Sequence, residues 1–218
     1  GGYKWFIDNG KWFTNTNFEH WYTATGPGHF VLGSGQHPIR GGVLGNSYYH
    51  RNLKKVVFCL DDTLSKEIGK DYNSYSYRQI HSTAMGDWVK NKYPDSKVFA
   101  VSGKARGSVL LGGKNADLAI WYNWEGQFVS SDYYSDEYPE WLNEFNQDLN
   151  LLKYRDSLWT REYDEQLYHE FTRPDHFEGE DDVYNTKEYS PVFPIGVKKE
   201  VNDDTNGDKF VYNNIARA

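Results

Sequence analysis

Apolar and polar positions change period along the chain, and the changes divide it into elements. Tyr3, Phe6 and Ile7 recur at helical spacing before Asn9-Gly10, so residues 3–13 predict a helix running into a turn. Residues 12–15 read as a short strand. A second helix is predicted behind Thr25. Pro27 suits a first helical turn, where no N–H partner is lost, and Gly33 and Gly35 suit the far end, where a positive φ is cheap. A glycine-rich loop follows from Gly41 to Asn46, of the kind that lets backbone approach a ligand. Residues 48–60 hold a basic turn and an apolar run around Cys59, which reads as a buried strand. Residues 83–93 predict a helix, with Ser82 or Thr83 as cap and Asp87 in its first turn. Residues 97–102 predict a strand of the buried kind, residues 118–122 another, and residues 126–130 its hairpin partner. Residues 139–145 open a further helix.

Strands alternating with helices over residues 1–149 predict an α/β core with a mostly parallel sheet. From about Asn150 the character changes. Residues 178–182 are acidic and residues 203–208 form a polar turn segment. Residues 150–205 therefore read as an insertion or cap-like surface lobe, and residues 206–218 as the start of a return to the core. A length of 218 residues supports one sizeable core with such a lobe. No apolar run approaches transmembrane length, and no signal peptide is read. The chain opens with Gly1-Gly2, which is read as a processed or truncated start.

A formal net charge of −7 argues against a dedicated nucleic-acid binder, which would show a basic face. It leaves an anionic substrate open, because the local field matters more than the total. The single cysteine cannot form an intrachain disulfide, so cysteine usage does not decide the compartment. The 18 tyrosines and 8 tryptophans are spread along the chain, which assigns most of them to core and rim.

Three places could carry chemistry. Thr25 lies at the mouth of the second predicted helix, where free N–H groups and the positive dipole end attract anions. Its hydroxyl is a candidate nucleophile toward phosphate or sulfate esters, or else a helix cap. Lys104 and Arg106 leave the end of a predicted strand two positions apart, where ligands gather in open α/β sheets. Together they could hold a doubly charged phosphoryl group, or they could form a solvated turn. Asn46, after the glycine loop, could donate to a phosphoryl oxygen or serve as a turn residue.

The whole pattern resembles the alkaline phosphatase superfamily. It joins Thr25-Gly26-Pro27-Gly28-His29, the Ser34 to Pro38 turn, Gly45-Asn46, Lys104-Ala105-Arg106, Gly112-Gly113 and Ala116-Asp117. Within the superfamily it is similar to the type I phosphodiesterase/nucleotide pyrophosphatase branch, and in particular to bacterial alkaline phosphatases with a threonine nucleophile. The likeness runs along most of residues 1–147 and is weaker beyond. It implies a three-layer α/β/α sandwich, incomplete here, and hydrolysis of small phosphate monoesters through a phosphothreonine on Thr25. Asn46 would then hold one phosphoryl oxygen, and Lys104 with Arg106 the others. Thr25 would also ligate one of two zinc ions, which activate the hydroxyl and stabilise the leaving oxygen. His29 would brace the loop as a helix residue.

The chain also departs from the family pattern. The metal-binding aspartate before the first helix and the later Asp-x-x-x-His and Asp-His-Gly motifs are missing. Asp175-His176 is followed by phenylalanine and makes a poor substitute. Gly41 stands where the family usually has a histidine. The expectation is an N-terminal portion, inactive in isolation, of a zinc-dependent phosphatase, exported to the periplasm or beyond as the resemblance implies. The alternatives are a phosphodiesterase or nucleotide pyrophosphatase of the same branch, and a non-catalytic phosphate-binding remnant. Neither nucleic acid nor membrane is expected as a partner.

Overall fold

The computed structural model describes residues 2–123, 125–148, 158–177 and 192–196. They fall into two units, one of residues 1–121 and 129–138, the other of residues 122–128 and 139 onward. The acidic run at 178–182, the polar segment at 203–208 and the stretch 206–218 lie outside the described residues.

The first unit opens with α1 (Gly2–Asn9), none of whose residues is buried. The strand expected at residues 12–15 does not form. Trp12 and Phe13 are both exposed, so no pleated face is covered, and the segment has no ladder to join. Next comes α2 (Thr25–Ser34), which closes on Gly35 at φ 62° with its N–H on the Val31 carbonyl. The glycine-rich loop is entered by a short helix, α3 (Pro38–Gly41), whose first turn donates from Ile39 N–H to His37 Nδ1. A Cβ built at Gly41 would lie 2.2 Å from the Phe30 ring, so the loop presses backbone against the core.

β1 (Ser47–His50) and β2 (Lys55–Phe58) form an antiparallel hairpin with Ser47 opposite Phe58. The basic turn is its tip, and Cys59 follows the strand, buried. A second hairpin, β3 (Asp61–Lys66) with β4 (Asn73–Tyr75), has no counterpart in the sequence reading. Its buried positions are polar, which hides the period. Asp62 accepts hydrogen bonds from the Ser65 and Ser76 hydroxyls, Arg78 Nε and the Leu64 N–H, and so takes the place of an apolar residue.

α4 (Met85–Lys92) begins after Ala84, not after Ser82 or Thr83. The Thr83 hydroxyl instead accepts from Trp88 Nε1, and Asp87 takes the Ala84 N–H at 2.8 Å. β5 (Phe99–Ser102), α5 (Ala105–Gly112) and β6 (Leu118–Tyr122) follow. β5 and β6 pair in parallel, with Phe99 opposite Leu118, and β7 (Phe128–Val129) lies on the other side of β6. Among the described residues this is where parallel pairing occurs; the hairpins are antiparallel and the sheets small. β6 is buried at every position. β5 is not of the buried kind expected, since Phe99 and Val101 are 60% and 64% exposed on one face. The core joins Phe30, Val43, Leu60, Tyr77, Val109, Leu110 and Trp121, so α2, α5 and β6 share one apolar interior.

Asp117, at the start of β6, accepts from Lys90, from Lys97 and from the Val98 N–H. Burial works to raise its pKa, but these three donors outweigh it and hold the carboxyl at about 2, from 3.8. The folded value lies below the unfolded one, so the stabilisation is present above about pH 4 and is lost as pH falls through about 2. Carboxyl titration by NMR should find this midpoint, and Asp117→Asn should flatten that part of the acid stability curve.

In the second unit, α6 (Glu140–Asp148) carries Asn146, whose amide brackets Phe128 by accepting its N–H at 2.8 Å and donating to its carbonyl at 2.7 Å. Phe128 meets Tyr122 and Phe145 edge to face. β8 (Leu158–Trp159) pairs antiparallel with β9 (Ile195–Gly196), and α7 (Glu165–Phe171) lies between them in sequence.

Candidate active site

Thr25 is the first residue of α2, and the residue before it, Ala24, makes no side-chain cap. Thr25 is therefore not a cap, and the alternative that its hydroxyl is spent on the helix falls away. The helix mouth has fewer free donors than four. Pro27 has no N–H, and the Gly26 N–H donates to Asn46 Oδ1 at 2.7 Å. Asn46 is held at a second point, because its carbonyl accepts the Cys59 N–H at 3.0 Å. With its oxygen occupied, the amide has its NH2 group left as a donor.

This arrangement leaves little room for a side chain at position 26. A Cβ there would lie 3.2 Å from the Gly45 carbonyl oxygen and 3.3 Å from both Asn46 Oδ1 and Cys59 Sγ. Cys59 is a stronger intrinsic nucleophile than any hydroxyl, yet it is not available. Burial pushes its thiol up to about 11, although the nearby Arg106 charge pulls the other way. The thiol stays protonated at neutral pH, and Thr25 is the half-buried hydroxyl at this corner.

Lys104 and Arg106 take positions that the sequence left open. Lys104 precedes the first residue of α5, and Arg106 lies one residue further in. This second helix mouth also lacks a side-chain cap. The two mouths meet through His29, one turn into α2. Its Nδ1 lies 2.8 Å from the Thr25 carbonyl oxygen, and its Nε2 would be 3.4 Å from a Cβ at Gly107. Further along, a Cβ at Gly33 would lie 2.5 Å from the Leu110 carbonyl oxygen, so the helices touch backbone to backbone.

Arg106 is half-buried, and its Nε is buried without a hydrogen-bond partner among the described residues. Its guanidinium lies over the Phe58 ring, 5.1 Å from the centroid. Lys104 is exposed. The structure thus brings Thr25, Asn46 and Arg106 around the Gly26–Cys59 corner, with Lys104 at the adjoining helix start. The contributions of Cys59 and Phe58 were not legible beforehand, because only the hairpin's pairing carries them to a helix so distant in sequence.

The described residues do not fit a zinc ion. Among the described residues no three His, Cys, Asp or Glu side chains gather as a metal would need. Asp175 accepts from Arg161 and from the Phe193 N–H. The Arg106 Nε, buried without a partner among the described residues, fits a different guest, an oxyanion.

A profile of type I phosphodiesterase/nucleotide pyrophosphatase matches residues 4–200. Alkaline phosphatase PhoV of Synechococcus elongatus is 33% identical over 176 residues, 79% of this chain and 32% of that one. Alkaline phosphatase PafA of Elizabethkingia meningoseptica is 34% identical over 151 residues, 67% of this chain and 28% of that one. The crystal structure of wild-type PafA superposes with a TM-score of 0.70 at 29% identity, covering 89% of this chain and 36% of that one. A PafA variant substituted at a threonine, an asparagine, a lysine and an arginine matches with the same score, covering 83% of this chain. The chain therefore spans about a third of the length of these relatives. The α/β architecture is that of the alkaline phosphatase fold, and the chain belongs to the type I phosphodiesterase/nucleotide pyrophosphatase family.

Proposed function

We propose that this chain carries the nucleophile and the oxyanion clamp of a phosphate monoester hydrolase. The observation that carries the reading is the corner itself: Thr25 beside the Asn46 amide, with Arg106, its Nε buried without a partner among the described residues, close to Cys59 of the same corner. The substituted PafA variant supports the assignment. Its threonine and asparagine have the same spacing as Thr25 and Asn46, and its lysine and arginine are two positions apart like Lys104 and Arg106.

In this reading Thr25 Oγ bonds to phosphorus while the bond to the ester oxygen breaks, and the hydroxyl proton leaves with the departing alcohol. Water then releases phosphate and restores Thr25. The Asn46 NH2 donates to one phosphoryl oxygen. Arg106 and Lys104 hold the others, with the two charges a monoester dianion calls for. The two zinc ions implied by the resemblance find no donor set among the described residues, so no step runs through them here. Export to the periplasm or beyond belongs to the same proposal. No helix among the described residues is long and apolar enough to cross a membrane.

Binding of phenyl phosphate and of methyl phenyl phosphate, measured by calorimetry, tests the clamp. Arg106→Ala and Lys104→Ala should each weaken the monoester about 10- to 100-fold, since a charge-assisted hydrogen bond is worth ~1.5–3 kcal/mol. The diester should bind more weakly than the monoester and lose less. Equal affinities for the two esters, equally reduced by both substitutions, would favour a phosphodiesterase. Monoester binding indifferent to both substitutions would defeat the proposal.

A further inference from the structure

We propose that Phe58 is a positioning residue, its ring the shelf that holds the Arg106 guanidinium toward the anion; this rests on the clamp reading above. An arginine side chain has many rotatable bonds and must be held before it can grip a ligand. Proteins usually do this with a carboxylate, which also neutralises the charge. Arg78 shows that solution in this chain. It lies over the Tyr133 ring at 5.1 Å and is also ion-paired to Asp62 at 2.8 Å.

Arg106 has the ring without the carboxylate. Its guanidinium carbon is 5.1 Å from the Phe58 centroid, its Nε is buried without an acceptor, and no acid pairs with it among the described residues. An aromatic face attracts a cation through its quadrupole without cancelling its charge, so the full charge is kept for a ligand. The shelf itself is firm. The Phe58 N–H donates to Asp61 at 2.9 Å, and its ring meets Tyr75 at 5.1 Å, which meets the buried Trp121 at 5.9 Å. The Tyr75 carbonyl is tied in turn to the Ser131 hydroxyl at 2.7 Å. A row of rings thus runs from the core to the clamp.

The test uses the 218-residue chain and inorganic phosphate, with Phe58→Leu, Phe58→Tyr, Arg106→Ala and the Phe58→Leu/Arg106→Ala double variant. Two quantities are read: the dissociation constant, and the NMR shift and solvent exchange of the Arg106 Nε–H. Phe58→Leu should weaken phosphate about 5- to 30-fold, the range a partly desolvated cation–π contact supplies. It should also move the Nε–H resonance and speed its exchange. Phe58→Tyr should keep both near wild type, and Phe58→Leu should add nothing once Arg106 is alanine. An equal loss from Phe58→Leu in the Arg106→Ala background, or an unmoved Nε–H resonance, overturns the positioning role. Phosphate affinity unchanged by Arg106→Ala overturns the clamp reading instead, a result the Nε–H resonance keeps separate.

Discussion

Asp87→Ala is expected to destabilise the first unit by roughly 2–3 kcal/mol, because an N–H left buried without an acceptor costs ~1–3 kcal/mol and two more part-buried bonds are lost. The Asp87 carboxylate is buried and accepts from the Ala84, Lys114 and Asn115 N–H groups at 2.8, 3.2 and 2.8 Å, and from the Asn115 side chain at 3.1 Å. It therefore caps α4 and pins the turn after α5 with one side chain. Alanine removes every one of these acceptors, strands the buried Ala84 N–H and leaves the donors of the exposed Lys114 and Asn115 to water. Calorimetric unfolding should show a midpoint lower by on the order of 10 °C. Asp87→Asn keeps one acceptor oxygen and should recover part of the loss. A change below ~1 kcal/mol would mean that the stranded amides find water, and the staple would then not be what holds the two elements.

Gly33→Ala is the second. In an ordinary helix interior this exchange gains up to about 1 kcal/mol, because alanine has the higher propensity. Here the new methyl would lie 2.5 Å from the Leu110 carbonyl oxygen and 3.5 Å from the Leu111 Cα, backbone atoms of a helix that is itself anchored in the core. The contact cannot be relieved by turning a side chain, so α2 and α5 must separate. Overpacking of this kind costs about 1–3 kcal/mol, occasionally more, and the upper end is expected at a backbone contact. The same separation moves Thr25 and Arg106 apart, since each sits in the first turn of one of the two helices. Phosphate affinity should therefore fall together with the thermal midpoint. Gly28→Ala is the control. It lies in the same helix with no atom within 4 Å of the added carbon, and it should be neutral or stabilising. A stabilising Gly33→Ala would show that the helices are not in close contact.

These two residues also show how much was legible beforehand and how much was not. Gly33 was read as a helix end needing positive φ. It lies inside the helix instead, and Gly35 alone takes the left-handed turn. A glycine looks the same in sequence whether it serves a turn or a neighbour's backbone, and the neighbour, Leu110, is far along the chain. Asp87 was correctly placed in the first turn of a helix, but its reach to Lys114 and Asn115 depends on the packing of α4 against α5.

By itself the sequence determined helices and strands wherever local signals were clear: α2, α4, the strands β5 and β6, and α6. It also identified Thr25, Asn46, Lys104 and Arg106 as the residues worth following. Such signals are local, set by side-chain period, glycine and proline, or held in a motif whose order survives without coordinates. Only the tertiary structure decided that Thr25 is not a cap, that Asn46 holds the Gly26 N–H, and that Phe58 carries Arg106. It alone placed a protonated Cys59 beneath the corner. Those facts depend on which residues meet across hairpins and between helices. Such meetings are chosen by the burial of apolar surface over the whole unit, and no short stretch of chain records them.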